Sequence, residues 1–384
     1  SGHEGNAVFG QVFPYSDITF LHYRSGAFFI ERSKQVSGST PVYDLALSFV
    51  ASSGDPISGG RHKVIGSKTL NIPPQTSTIA SHLPKAVGTA FSIDRAHDLD
   101  IEERKLKGDS IVLCSFGDAT VNHAAALSAF NTASWVSYLG GHIPIIFICE
   151  DNEMGISVPT EKHWIEKSFK NKVGIQYEFC DGLHLIDLII RSRRVEHDCR
   201  TQRCPIFLHM KTVRLMGHAG SDVEIGYRSL EEIENTEFND PLLHSARILI
   251  ENSVLSSEDV ISIYKSEQSR VHHIFETATR KPKLQSEKKV MEAITTHDTN
   301  RKFPNFPSEE TRKKVFGKEF DRLNQKHHMA KLINYALFDI LLRLKNTLIF
   351  GEDVAQKGGV YHLSLIHISE PTRPRLISYA VFCL

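Results

Sequence analysis

Residues 110–155 read SIVLCSFGDATVNHAAALSAFNTASWVSYLGGHIPIIFICEDNEMG, and this stretch decides the fold. Two short apolar runs, Ser110–Phe116 and Ile143–Cys149, flank an alanine-rich segment. Neither run alternates polar with apolar, and both are rich in Ile and Phe. That pattern fits strands buried on both faces of a parallel sheet. From Asn122 to about Tyr138, a helical spacing puts Ala126, Phe130 and Ala133 on one side. Strand, helix and parallel strand make one right-handed crossover. The strands end in Gly117-Asp118-Ala119 and Glu150-Asp151-Asn152, so the crossover brings both polar clusters to one sheet edge. Open α/β sheets bind their ligands at that edge.

Working outward, Ile18–His22 and Ile206–Met210 read as two further strands, with polar ends His22-Tyr23-Arg24 and Arg214 through His218. Pro84 to about His97 and Leu183–Val195 read as helices between them, giving an α/β fold with a parallel sheet flanked by helices over residues 1–228. Residues 229–279 form a charged helical extension. Ser229 three residues before Glu232, and Ser256 or Ser257 before Glu258-Asp259, are its start signals. Residues 280–325 are dense in Lys, Glu, Pro and Thr and read as a charged linker. Residues 326–362 begin a second α/β domain, with a helix Met329–Leu344, a strand Thr347–Phe350 and the turn Gly351-Glu352-Asp353.

Composition narrows the function. Lys plus Arg number 45 against 45 Asp plus Glu in 384 residues, with no basic stripe or tail, so neither nucleic acid nor another polyanion is an expected partner. No apolar run approaches the ~20 residues of a membrane span. The six cysteines contain no C-x-x-C pair and read as reduced thiols. The opening SGHEG has no basic or apolar leader character and no initiator Met, which points to a processed chain or a fragment.

The clusters at the sheet edge suit a hard cation carrying a diphosphate. Mg²⁺ takes oxygen ligands, one or two of them from protein side chains. Asp118 offers a carboxylate, Asn152 an amide oxygen and Met154 a backbone carbonyl. Gly117 and Ala119 are small enough to let backbone approach a phosphate, and the helix from about Asn122 directs its positive end there. Other phosphate motifs fail. No G-x-G-x-x-G follows a strand, and the string Gly60 to Thr69 has the wrong spacing for a P-loop.

Gly117-Asp118-Ala119 followed about thirty residues later by Asp151-Asn152 resembles the thiamine-diphosphate signature G-D-G…N-N, with Ala119 and Asp151 as departures. The surrounding strings are more specific: SGHEGNA, HYRSGAFF, PISGGRHKVIGS, TSTIASHLPKAVGTA, FGDATVNHAAALSAFN, FICEDNEMGISVPT and VRLMGHAGSDVE. They resemble the decarboxylating first component of 2-oxo acid dehydrogenase complexes. GEDVAQKGGVY looks like the start of a β-type half, so the whole resembles the fused α/β form over about residues 1–362.

The resemblance implies a thiamine-diphosphate-binding fold, with thiamine diphosphate and Mg²⁺ as cofactors. It assigns Tyr23, Arg24, Gly117, Asp118, Ala119 and Asn152 to the diphosphate region, and Ser77 and Ile79 to the aminopyrimidine side. Asp118, Asn152 and the Met154 carbonyl are the implied Mg²⁺ ligands. His218 is implied near phosphate and substrate, and His62 is a weaker substrate-side candidate whose other reading is a loop histidine. The implied reaction is oxidative decarboxylation of a 2-oxo acid, branched-chain favoured and pyruvate possible, with acyl transfer to a lipoyl-bearing acyltransferase. A homodimer or pseudo-tetramer is implied, in the cytoplasm or a mitochondrial matrix. The family's β-type glutamate is not reached: residues 363–384 depart from the family and resemble translated adapter sequence, so the chain is expected to be truncated early in the β-type half. A transketolase-like or acetoin-cleaving thiamine enzyme and a catalytically silent assembly module are the alternatives.

Overall fold

The computed structural model describes residues 1–75, 78–294, 305–352 and 376–379. The chain falls into two units, residues 1–95 with 105–294 and residues 96–104 with 295–384.

The first unit is built on a five-stranded parallel sheet in the order β1-β4-β5-β7-β6. Its strands are β1 (Ile18–Phe20), β4 (Val112–Gly117), β5 (Ile145–Asp151), β6 (Gln176–Asp181) and β7 (Ile206–Lys211). An antiparallel pair, β2 (Ile65–Ser67) and β3 (Ile72–Gln75), forms a second small sheet, joined to β1 where Thr19 N–H donates to the Asn71 carbonyl at 2.9 Å. The four expected strands are present; β6 is an addition, at the sheet edge.

Side-chain alternation sorts the sheet into two cores. Val112, Cys114 and Phe116 of β4 and Ile145, Phe147 and Cys149 of β5 face one side. There they pack on helices Leu83–Asp98 and Ala124–Tyr138 through Leu83, Ala86, Val87, Ala90, Ala126, Phe130 and Ala133. Phe169 and Phe207 stack at 3.9 Å between ring centroids, and Phe130 meets Phe169 edge to face at 4.9 Å. Leu113, Ile146, Ile148, Leu208 and Met210 face the other side, covered by helices Ala7–Val12, Gly26–Ser33 and Leu185–Gln202. That third helix runs seven residues past the expected end at Val195, because Val195 and Cys199 continue its buried stripe.

Register aligns the carboxyl ends. Phe20 pairs with Cys114, Gly117 with Glu150, and Glu150 with Met210, so the residues after β1, β4, β5 and β7 emerge along one edge.

The helical extension is three helices, Leu230–Glu237, Pro241–Glu251 and Ser257–Thr279. Both start signals are complete capping boxes, Ser229 with Glu232 and Ser256 with Asp259. Residues 280–325 are not a uniform linker. Helix Glu287–Met291 lies in the first unit, where Ser53 donates to the Pro282 carbonyl at 2.8 Å. Helix Glu309–Phe316 lies in the second unit.

In that unit Phe316 packs on Tyr335 and Phe338, and Arg312 grips Asp339 with two bonds of 2.8 and 2.9 Å. Helix Met329–Arg343 leads to β8 (Ile349–Glu352), which pairs parallel with β9 (Leu376–Tyr379), inside the segment expected to be foreign. Asp353 and the rest of GEDVAQKGGVY lie outside the described residues. Among the described residues no helix is long and apolar enough to cross a membrane, and Cys114, Cys149, Cys180, Cys199 and Cys204 are free thiols.

Candidate functional site

The two faces of the sheet end in different polar groups. On the face of Phe116 and Cys149, the next residues in phase are Asp118 and Asp151. On the face of Leu113 and Ile148 they are Ser115, Glu150 and Asn152.

Asp118 begins a short 3-10 turn, Asp118–Asn122, before the helix proper, whose N-cap is His123 accepting from Ala125 N–H at 3.1 Å. Asp118 is 3% exposed. Oδ2 accepts from the Thr160 hydroxyl at 2.6 Å, and Thr160 N–H donates to the Glu153 carbonyl at 3.0 Å. Thr160 thereby fastens the β4 turn to the loop after β5. That loop is a small hairpin, with Met154 bridged to Pro159 and Gly155 N–H bonded to the Val158 carbonyl at 2.8 Å. A Cβ on Gly155 would stand 3.9 Å from the Ala119 methyl, so the two small residues are neighbours.

Burial pushes the Asp118 carboxyl up to about 7, the Asp151 charge adds to the push, and the Thr160 hydroxyl offsets only part of it. Among the described residues no ion pair forms on it. A buried acid left short of positive charge, tied by Thr160 to the loop that carries the Asn152 amide oxygen and the Met154 carbonyl, supplies the kind of donors a hard cation takes. These residues fit Mg²⁺.

Glu150, one strand over, is fully buried and fully compensated. Its Oε2 accepts from His3 Nδ1 at 2.5 Å and lies 3.5 Å from His22 Nδ1, while Oε1 accepts from the Ser25 hydroxyl at 3.3 Å. Burial would raise its carboxyl, but the hydrogen bonds and charges of His22 and His3 hold it at about 2. His3, His22 and Glu150 place three possible ligand atoms within 4.8 Å of one another. The direct 2.5 Å bond between two of them marks a hydrogen-bonded cluster rather than a metal cage. Ser115 extends the cluster, its hydroxyl accepting from His22 N–H at 2.7 Å and its carbonyl facing His82 Nε2 at 2.8 Å. Burial drives the His82 imidazole down to about 4.

Tyr23 and Arg24 leave β1 toward the loop after β7. Arg24 Nη2 donates to the His218 carbonyl at 3.2 Å and the guanidinium lies 5.4 Å from the Tyr23 ring, whose centroid is 6.1 Å from that of His218. Burial, with Arg24 and Arg214 nearby, lowers the His218 imidazole, and Asp222 opposes this. His218 N–H donates to Asp222 Oδ2 at 2.5 Å, and the Tyr227 hydroxyl donates to the same oxygen at 2.6 Å. Arg214, buried, donates to Tyr227 at 2.7 Å and to the Gly155 and Ile156 carbonyls at 3.0 and 2.8 Å. One guanidinium thus pins the His218 loop to the Met154 loop.

Of the residues expected from sequence, Tyr23, Arg24 and His218 come together; Asn152 and Met154 share a hydrogen bond, and Thr160 ties Asp118 to Glu153 between them. Ile79 is exposed, and Ser77 lies outside the described residues. His62 is exposed and joins neither group. Its neighbour Arg61 is the residue in use, donating to the carbonyls of Val290 and Lys289 at 2.9 and 2.6 Å. His3, Glu150, Thr160 and Arg214 were not singled out as contacts, because each finds its partner far along the chain.

The profile of the family described as "Dehydrogenase E1 component" matches residues 10–287. The chain belongs to that family. The E1 match spans the parallel sheet and the helical extension. Among curated relatives, the chain is 24% identical to the mitochondrial pyruvate dehydrogenase E1 component subunit alpha of Dictyostelium discoideum, over 69% of this chain and 65% of that protein. It is 27% identical to the 2-oxoisovalerate dehydrogenase subunit alpha of Bacillus subtilis, over 56% and 62%. The human mitochondrial 2-oxoisovalerate dehydrogenase subunit alpha is 24% identical, over 73% and 59%. The E1 chain thus spans less than two thirds of the length of these relatives. The α/β architecture is that of a thiamine-diphosphate-binding E1 fold.

Proposed function

We propose that this chain supplies the diphosphate- and Mg²⁺-binding half of the first component of a 2-oxo acid dehydrogenase complex. The observation that carries the reading is the buried, uncompensated carboxyl of Asp118, held by Thr160 against the Asn152–Met154 loop in a chain of the E1 family. Asp118, Asn152 Oδ1 and the Met154 carbonyl would hold Mg²⁺. Tyr23, Arg24 and the small residues Gly117 and Ala119 would receive the diphosphate, with Ser77 and Ile79 on the aminopyrimidine side. Thiamine diphosphate, when bound, supplies carbanion stabilisation at the keto carbon of a 2-oxo acid.

The chain's own groups do the holding. Arg24 brings positive charge to the diphosphate side, and Arg214 keeps the His218 loop closed over the cation loop. Depressed by burial and two arginines, the His218 imidazole is neutral at pH 7 and able to accept a proton from substrate or carrier. The substrate class we favour is branched-chain 2-oxo acids, the acceptor a lipoyl group on an acyltransferase, and the assembly a dimer or pseudo-tetramer. The compartment is the cytoplasm, or a mitochondrial matrix in a eukaryote. Residues 326–362 would be the start of a fused β-type half, whose remainder would complete the proposed enzyme.

Calorimetry tests the core of this reading. Thiamine diphosphate should bind only with Mg²⁺ present, and Asp118→Ala should abolish that binding. Binding that ignores Mg²⁺, or survives Asp118→Ala, refutes the assignment. For substrate, CO₂ release by the complete enzyme should give a higher kcat/KM with 3-methyl-2-oxobutanoate than with pyruvate.

A further inference from the structure

The cation loop presents a geometric problem: a side-chain amide can be turned either way, and only one orientation offers oxygen to a cation. In Asn152 the two ends are separately engaged. Oδ1 accepts from Met154 N–H at 3.1 Å, and Nδ2 lies 3.1 Å from His3 Nε2. The other ring nitrogen of His3, Nδ1, sits 2.5 Å from Glu150 Oε2. A carboxylate can only accept, so Nδ1 carries the hydrogen and Nε2 is free to accept from the Asn152 amide nitrogen.

His3 is itself built in. It is fully buried. The glycines on either side let the chain approach closely: a Cβ on Gly2, at φ +87, would fall 2.1 Å from the Val213 carbonyl oxygen, and one on Gly5 would fall 2.5 Å from that of Gly182. Asn6 Oδ1 accepts from Phe28 N–H at 2.9 Å and the Thr212 hydroxyl donates to the Gly2 carbonyl, fixing both ends of the segment.

We propose that His3 is a positioning residue for Asn152: anchored by Glu150, its imidazole holds the amide nitrogen and leaves the amide oxygen, with one lone pair on Met154 N–H, to present the other to a cation. The inference rests on the reading of Asn152 as a ligand. Groups that orient metal ligands govern affinity although they never touch the metal.

Two conservative substitutions separate the halves of the role. An Asn side chain at position 3 puts its amide nitrogen near the place of Nδ1 and has no atom at Nε2, so it keeps Glu150 and loses Asn152. A Gln reaches the place of Nε2 and offers an acceptor to Asn152, at the expense of the Glu150 bond. Mg²⁺ would be titrated calorimetrically into the full chain at fixed thiamine diphosphate, with thermal unfolding of the metal-free proteins alongside. His3→Asn should raise the half-saturating Mg²⁺ concentration by about 10–100-fold, while His3→Gln stays near wild type. Unfolding should show the reverse order, His3→Gln losing more than His3→Asn. If both variants track stability alone, or if His3→Asn binds Mg²⁺ as wild type does, the proposal is overturned. A wild-type chain without Mg²⁺-dependent thiamine diphosphate binding would instead overturn the reading of the site.

Discussion

Asp118 and Glu150 are two buried acids at the ends of adjacent strands, and their environments drive them in opposite directions. Glu150 is wrapped by His3, His22 and Ser25 and held at about 2. Asp118 has a hydroxyl, a like charge nearby and no ion-pair partner among the described residues, and it is pushed up to about 7. The first is complete within the chain. The second is left short of positive charge, which is what marks it as the candidate site in a cluster where sequence shows only carboxylates.

The largest effect expected from breaking this contrast is at Asp118. A free carboxyl near 3.8 that titrates near 7 in the folded protein takes up a proton on folding anywhere between those values. Metal-free protein therefore loses stability as pH rises through that window, by up to about 4 kcal/mol above it. Asp118→Asn should recover most of this at pH 8 and almost none at pH 4, read from denaturant midpoints at both values. The same variant should lose Mg²⁺-dependent thiamine diphosphate binding, exchanging function for stability.

Glu150 should behave in the opposite sense. Its folded value of about 2 lies below the ordinary 4.5, so its contribution is full above pH 4.5 and disappears as pH falls toward 2. Glu150→Ala leaves the buried His3 imidazole without its acceptor and His22 without the carboxylate near it, and should cost about 3 kcal/mol at neutral pH. The deficit should narrow on acidification below pH 4.5, measured by urea unfolding. A deficit independent of pH there would mean that packing, not charge, is what Glu150 supplies.

A smaller effect sharpens the contrast from the Asp118 side. Thr160→Val removes the hydroxyl donor to that carboxylate, worth roughly 1.5 kcal/mol for a bond to a charged group. Metal-free Thr160→Val should be destabilised by about that amount at pH 8 and by less at pH 5, where Asp118 is protonated. Equal losses at both pH values would assign Thr160 to loop geometry alone.

What sequence made legible, and what it hid, follows the same division. Central strands announced themselves because β4 and β5 are buried on both faces, so Ser110–Phe116 and Ile143–Cys149 read as nearly continuous apolar runs. Strand β6, Gln176–Asp181, did not, because it lies at the edge with Gln176 and Phe179 exposed and its apolar signal diluted. Helix starts were legible because a capping box spans only four residues, as at Ser229 and Ser256. Asp118, Asn152 and Met154 could be proposed as ligands from sequence because their loops sit at the ends of recognisable strands. The partners that decide their chemistry were not legible: Glu150 meets His3 across 147 positions, and Thr160 meets Asp118 across 42. In the GGRH string the histidine is exposed, while Arg61 beside it donates to the carbonyls of Val290 and Lys289.

The smallest expected effect lies in the loop that carries His218. The Tyr227 hydroxyl accepts from Arg214 and donates to Asp222, and Asp222 in turn receives the His218 N–H. Tyr227→Phe keeps the ring under the Arg214 guanidinium, at 5.9 Å, and deletes only the two polar contacts. Losing one net hydrogen bond of about 1 kcal/mol from a locally opening segment should speed exchange of the His218 amide about 5-fold. Amides of β4 and β5, which exchange through global unfolding, should be unchanged, because the loop adds little to the core that protects them. Faster exchange confined to residues 217–228 would show the Arg214–Tyr227–Asp222 chain closing the His218 loop by itself. Exchange that also quickens at Gly155 and Ile156 would show that Arg214 needs Tyr227 to keep its hold on the Met154 loop, and that the two loops open as one piece.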